Sequence, residues 1–263
     1  MWNNNLNKDF TLSIYKQLLN SVSELGIKIL NVSEFLRTDD QLCLGIRHDI
    51  DRKIDNAARM AELENELGIS TTYYVRCKRS VLKPDLIRKI YDLNHEIGYH
   101  YEDLASANGN YEIGINNFKQ NLERLREICS IKTIAAHGSP LSDIDSRDLW
   151  NRYKFREFGI KTDISLEINS GKFIYISDAG RSWNNRNINR RDKIDNKNEF
   201  EINHTLDIID LIAKPEVREK LLINIHPEHW SDSFCEWYRI KTWRIVKNAV
   251  KTLYLKFYEK SEI

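Results

Sequence analysis

The 263-residue chain balances 40 Lys+Arg against 39 Asp+Glu, so its net charge of +1 provides no global field to draw it to nucleic acid or an anionic membrane. Hydrophobic residues make up 41%, a globular composition, and at this length one domain spanning 1–263 is expected. The start lacks a basic then apolar leader pattern, no apolar run reaches membrane-spanning length, and Cys43, Cys77, Cys129 and Cys235 lack metal or redox spacing; a cytoplasmic protein with reduced thiols is expected.

In chain order, residues 12–25 have helical spacing and stop at Gly26, and 27–32 read as a short strand or connection. Residues 1–40 thus form an N-terminal helical extension. A strand over 42–47 follows, then a helix over 54–67 ended by Gly68. Residues 70–75 are rich in β-formers. Pro84 opens a helix running to 94, because its fixed φ and missing N–H suit a first helical turn. Strands are predicted at 97–100 and 132–136, with a helix over 113–129 between them. A helix over 145–155, strands over 162–166 and 173–177, a helix over 205–212 and a strand over 221–226 come next. A final helix, 234–260, carries Trp237, Ile240, Trp243, Val246 and Val250 at helical spacing, with basic residues between them. Packing of this apolar face on the domain is favoured over membrane contact. Strands alternating with helices predict βαβ units and a parallel sheet, either open or closed into a barrel.

Four of the strand-like runs end in groups able to do chemistry. These are Arg47-His48-Asp49-Ile50-Asp51, His100-Tyr101-Glu102, His137 and His226. A lone strand-end histidine is more often structural, but four such endings point to one site built from several strand tips. That favours a barrel, where strand ends surround a single mouth. Asp49 and Asp51 are two residues apart and share a face, so one can bind a cation while the other acts as a base. Asp and His suit Zn²⁺ or a similar divalent ion. His95 and His204 read as structural, and His229 as a neighbour of the site or a surface residue. Residues 181–198 form a long polar, basic stretch, a functional lid or a disordered loop in equal measure.

Across residues 42–230 the ordered pieces are Arg47-His48-Asp49-Ile50-Asp51, Ser70-Thr71-Thr72-Tyr73-Tyr74, His95 to His100, His137-Gly138-Ser139-Pro140, Asp178 to Trp183, and Ile225-His226-Pro227. In this order the chain resembles the polysaccharide deacetylase superfamily, the NodB-homology or carbohydrate esterase family 4 group. The resemblance implies a distorted TIM-like (β/α) barrel with fewer regular strands than eight. It also implies one divalent metal ion, with zinc expected, held by Asp51 and His100. The family's second metal histidine falls here on Leu104, so His137 is expected as third ligand with Glu102 in reserve. Asp49 is then the base and His226 the acid. Trp183, Asp178, Glu102 and Arg47 are the expected substrate-side residues. For Trp183 core packing is an equal reading, and Asp178 is also expected to orient the groups around the acid.

The activity implied is hydrolysis of a C–N bond, foremost deacetylation of an N-acetylated sugar or glycan precursor. Two alternatives stand beside it: a catalytically inactive, carbohydrate-binding relative, suggested by Leu104, and a hydrolase of a small non-sugar amide. The expected partner is therefore a carbohydrate or small amide, with no nucleic acid; the sequence leaves the oligomeric state open.

Overall fold

Strand β2 (Leu44–Ile50) is buried along its whole length. A strand covered on both faces belongs in the middle of a parallel sheet walled by helices. Such a sheet surrounds it in the computed structural model, which describes residues 8–138, 142–184, 201–214, 217 and 219–261. A short β1 (Ile29–Leu30) lies beside the start of β2, and β3 (Thr72–Val75), β4 (Glu96–Tyr101), β5 (Thr133–Ala136) and β6 (Thr162–Asp163) continue on that side. On the other side of β2 lie β8 (Leu221–Ile225) and then β7 (Ile174–Ser177). Every pairing is parallel.

The sheet curls. Tyr74 of β3, Ala135 of β5, Tyr175 of β7 and Leu222 of β8 meet Phe35 in one buried cluster, although β5 and β7 lie on opposite sides of β2. Apart from the two-residue β1, seven strands thus wrap an interior as an α/β distorted barrel with fewer than eight strands, as the resemblance implied. Tyr74 fills that interior only because Gly98 faces it. A Cβ at Gly98 would lie 2.3 Å from the Tyr74 ring. At the other end from the β2 carboxylates, Glu96 accepts hydrogen bonds from Ser33, Thr72 and Thr133.

Helices cover the sheet. They are α1 (Leu12–Glu24), α2 (Val32–Phe35), α3 (Ile54–Glu66), α4 (Pro84–Asp92), α5 (Asp103–Ser106), α6 (Tyr111–Arg126), α7 (Ile164–Glu167), α8 (Asp207–Ile212) and α9 (Phe234–Ser261). Phe35 of α2 and Ile164 of α7 reach the interior cluster. Capping explains several starts: Thr11 accepts from the Ile14 amide, and Asn110 from those of Glu112 and Ile113. Tyr15, Leu18, Leu19 and Val22 give α1 its buried stripe.

Three expectations change. The segment expected as a helix over 145–155 forms 3₁₀ turns at Ser146–Asn151 and Phe155–Phe158, around a Trp150 indole that donates to Tyr101 and Asp163. Only Thr162–Asp163 of the strand expected over 162–166 pairs, because the Asp163 carboxylate accepts from the Ser165 amide and starts α7. In α9, Trp237 and Ile240 are buried, but Trp243 and Val246 are 57% and 53% exposed. Its expected apolar face therefore packs only through the first turns. No helix among the described residues is long and apolar enough to cross a membrane.

Candidate active site

Alternation along β2 sorts its motif between two environments. Arg47 and Asp49 point inward, and Asp51 follows at the mouth. His48 points out between the helices, where its Nε2 lies 2.7 Å from Glu64. Its place in the strand-end motif puts this histidine with the carboxylates in the sequence, but the two-residue period of the strand sends it to the opposite face.

At the mouth, Asp51 Oδ1 lies 3.5 Å from His100 Nε2 and 3.3 Å from His137 Nε2. Both histidines are anchored through the other ring nitrogen. His100 Nδ1 bonds to the Ala135 carbonyl at 3.0 Å, and His137 Nδ1 faces Glu102 Oε2 at 3.0 Å. A second-shell acceptor on Nδ1 fixes the tautomer that offers Nε2 as a ligand. Asp51 Oδ1 is buried and has no hydrogen-bond partner among the described residues. Donors around a tetrahedral ion with bonds of about 2.0–2.1 Å stand about 3.4 Å apart, so the two Asp51–histidine distances suit a shared cation. The three groups are nevertheless not all collected within 4.8 Å of one another, as Asp178, His226 and His229 are. Arg76 also approaches Asp51, at 3.7 Å, while held by Glu102 at 2.6 Å.

Asp49 Oδ2 accepts from Arg47 at 2.7 Å and from Asn224 at 3.0 Å, while its Oδ1 is buried without a hydrogen-bond partner among the described residues. Burial raises the Asp49 carboxyl, but Arg47, His100 and His226 together hold it below its ordinary value. Across the mouth, His226 Nδ1 lies 2.6 Å from Asp178 Oδ1, which also accepts from the His226 amide. Asp178 Oδ2 accepts from the Trp230 indole at 2.8 Å. Burial lowers the His226 imidazole, but Asp178, then Asp51 and Asp49, push it up to about 10. His229 goes the other way, down to about 4, because burial outweighs Asp178.

Asp178, His226 and His229 form the second place where a cation has donors to meet. Both Asp178 oxygens already accept N–H groups there. The Asp51 oxygen does not, so the Asp51 cluster fits a metal better.

The structure gathers Arg47, Asp49, Asp51, His100, Glu102, His137, Asp178 and His226 around one mouth. It separates Trp183 from them. Trp183 is 7% exposed, stacks on Phe10, and donates to Thr205. Its expected place in a substrate pocket is corrected to the core. Arg47 is buried between the Tyr74 and Tyr175 rings beneath Asp49, and Glu102 is committed to His137, Arg76 and Lys78. These two are therefore committed to partners within the protein, not free to meet a substrate as expected. Leu104 is buried in the core and contributes no donor. Asn224, Arg76 and Glu228 were not anticipated. A polar Asn224 in an apolar strand, two residues before His226 and on its face, was the available signal. Pro140 and residues 185–198 of the basic stretch lie outside the described residues.

No family model matches the chain, and no curated protein does. Solved structures do. The fold resembles that of family 4 carbohydrate esterases. One from Streptococcus mutans is 12% identical, with a TM-score of 0.47 over 88% of this chain and 90% of its own. One from Bacillus anthracis is 13% identical, with a TM-score of 0.41 over 96% and 94%. A Bacillus anthracis protein described as a family 4 pseudoenzyme is 11% identical, with a TM-score of 0.45 over 80% of this chain. The chain covers 62% of that pseudoenzyme's length.

Proposed function

We propose that the chain is a divergent member of the polysaccharide deacetylase superfamily and a metal-dependent hydrolase of amide bonds, foremost the acetamide of an N-acetylated sugar. One observation carries this reading: two histidines, each tethered through Nδ1, aim Nε2 at the same buried Asp51 oxygen, which has no hydrogen bond among the described residues. Burying such an oxygen unsatisfied costs about 1–3 kcal/mol, more when it is charged, and a divalent ion would remove that cost.

Asp51, His100 and His137 would hold the ion, with His100 and His137 drawn closer together; zinc suits this donor set. When bound, it supplies Lewis acidity to the acyl oxygen and to a water molecule. The chain's own groups do the rest. Asp49 Oδ1 accepts the proton of the attacking water, while Arg47 and Asn224 fix Oδ2 and keep the carboxylate ionised. His226, held as imidazolium by Asp178, gives a proton to the departing nitrogen. The products are a carboxylate and a free amine.

A second reading has its own observation. The Arg76 guanidinium stands 3.7 Å from Asp51, and Leu104 replaces a donor. Arg76 could then neutralise Asp51 without an ion, in a protein that binds carbohydrate and does not cleave it. Acetate release from N-acetylated sugars, followed with protein of measured metal content, tests the proposal. Release that falls with Asp49→Asn supports it; a protein that takes up no divalent ion after equilibration with zinc and binds these sugars without releasing acetate overturns it.

A further inference from the structure

Beside the β2 carboxylates, the segment after β2 and the first turns of α9 enclose a cleft of about 340 Å³. Five of its eight lining residues are cationic: Arg52, Lys53, Arg239, Arg244 and Lys247. Two carboxylates answer them. Glu228 lies 3.4 Å from Arg244, and Glu236 lies 2.7 Å from Lys53 and 3.9 Å from Arg239. Arg52 and Lys247 have no carboxylate partner among the described residues. Crowding of like charge is felt at Lys247, whose amine is lowered by burial, by Arg52 and by Arg244.

The cleft opens next to the candidate active site, since Arg52 follows Asp51 directly and Glu228 lies two residues after His226. Asp51 and Glu228 both act on the Lys247 amine. Trp243 stands at the rim, 57% exposed, with the Lys247 ammonium 6.0 Å from its ring. An exposed indole flanked by cations offers a flat apolar face for a ring and charge for the group attached to it.

We propose that this cleft binds the phosphate or diphosphate group of the substrate, so that the amide to be cleaved is carried by a phosphorylated sugar. This rests on the hydrolase reading for the amide and not for the phosphate. Five cations against two carboxylates suit a ligand with two or more negative charges better than a single carboxylate. Guanidinium groups present paired donors that match phosphate oxygens. The phosphate is the chemistry that a nucleotide-linked and a lipid-linked sugar share.

Calorimetric titration of the full chain with inorganic pyrophosphate tests the site directly, and its outcome does not depend on any hydrolysis. Binding should weaken with added salt. It should drop about tenfold or more in Arg52→Gln/Lys247→Gln and be largely retained in Lys247→Arg. Pyrophosphate binding that is the same in wild type and Arg52→Gln/Lys247→Gln would overturn the proposal, since the anion would then sit elsewhere, on a bound metal included. Capture on phosphatidylglycerol vesicles without binding of soluble pyrophosphate would also overturn it, in favour of adsorption through α9. In parallel, kcat/KM for an N-acetylated sugar 1-phosphate should exceed that for the neutral sugar, and the double variant should erase the difference. Pyrophosphate binding without hydrolysis of either sugar leaves the phosphate site standing and removes the deacetylase reading. Hydrolysis of the neutral sugar without pyrophosphate binding does the reverse.

Discussion

Two clusters of carboxylate and histidine lie on opposite faces of β2. On the outer face, Glu64 accepts from Tyr15, His48, Thr71 and Tyr73, with His95 3.6 Å away. On the inner face and at the mouth, Asp49 and Asp51 each keep a buried oxygen with no hydrogen bond among the described residues. Residue types are alike and Asp49 is buried like Glu64, but the Asp51 side chain at the mouth is 21% exposed, and satisfaction differs. A carboxylate saturated with donors is finished as structure and has no lone pair to offer. One left short, in a barrel mouth ringed by histidines, is available for a cation or a proton. In the proposed function the inner face carries the chemistry, and the outer face holds helices α1 and α3 to the sheet.

Removing one group from each cluster should separate the two roles. At the mouth, Asp49→Asn should lower turnover by about 10²–10⁴-fold, because an amide oxygen is too weak a base, with melting temperature and metal content close to wild type. On the outer face, Glu64→Ala should destabilise by about 3–5 kcal/mol, since it leaves two histidines, two tyrosines and a threonine without their shared acceptor. The surviving folded fraction should keep its specific activity. Chemical denaturation and activity per folded molecule check both; a Glu64→Ala protein of normal stability would show that the network is not structural.

A smaller effect is expected inside the barrel. Gly98→Ala pushes a methyl into the Tyr74 ring. It should cost about 1–3 kcal/mol, and Gly98→Ala/Tyr74→Phe should not restore stability, because the clash is with ring carbons. The pH dependence is subtler still. Burial raises the Glu64 carboxyl, but His48, then His95 and Tyr15, hold it down to about 2, against 4.5 for a free glutamate. The folded state thus binds this proton less readily than the unfolded chain. Its stabilisation is complete above about pH 4.5 and is lost as pH falls through about 2. Glu64→Gln should flatten that part of the stability profile, measured by urea midpoints between those values; an unchanged slope would assign the acid transition to other carboxylates.

The fold was largely legible because the sequence punctuates its elements: Gly26 and Gly68 end α1 and α3, and Pro84 starts α4. The regions that misled are those where a side chain overrides the pattern, such as Trp150 turning inward and Asp163 capping α7. The mouth was legible as strand-end acids and histidines. Asp49, Asp51, His100, His137 and His226 do meet there. What could not be read was the division of labour between neighbours. Nothing in the order of residues 47–51 says that His48 belongs to Glu64, that Arg47 lies beneath Asp49, or that Glu102 anchors His137 through Nδ1. Those assignments depend on which face of the sheet each residue occupies and on partners far away in sequence. Trp183 read as a sugar platform or as core, and only the surrounding Phe10 and Trp230 rings decide for core.

The central claim is that the unsatisfied Asp51 oxygen, and not the saturated Asp178, holds a divalent ion. Elemental analysis of the wild-type chain, Asp51→Asn and Asp178→Asn after equilibration with zinc tests it most directly. About one equivalent of zinc is expected in wild type and in Asp178→Asn, and almost none in Asp51→Asn. Zinc retained by Asp51→Asn and lost from Asp178→Asn would contradict it and move the ion to Asp178, His226 and His229.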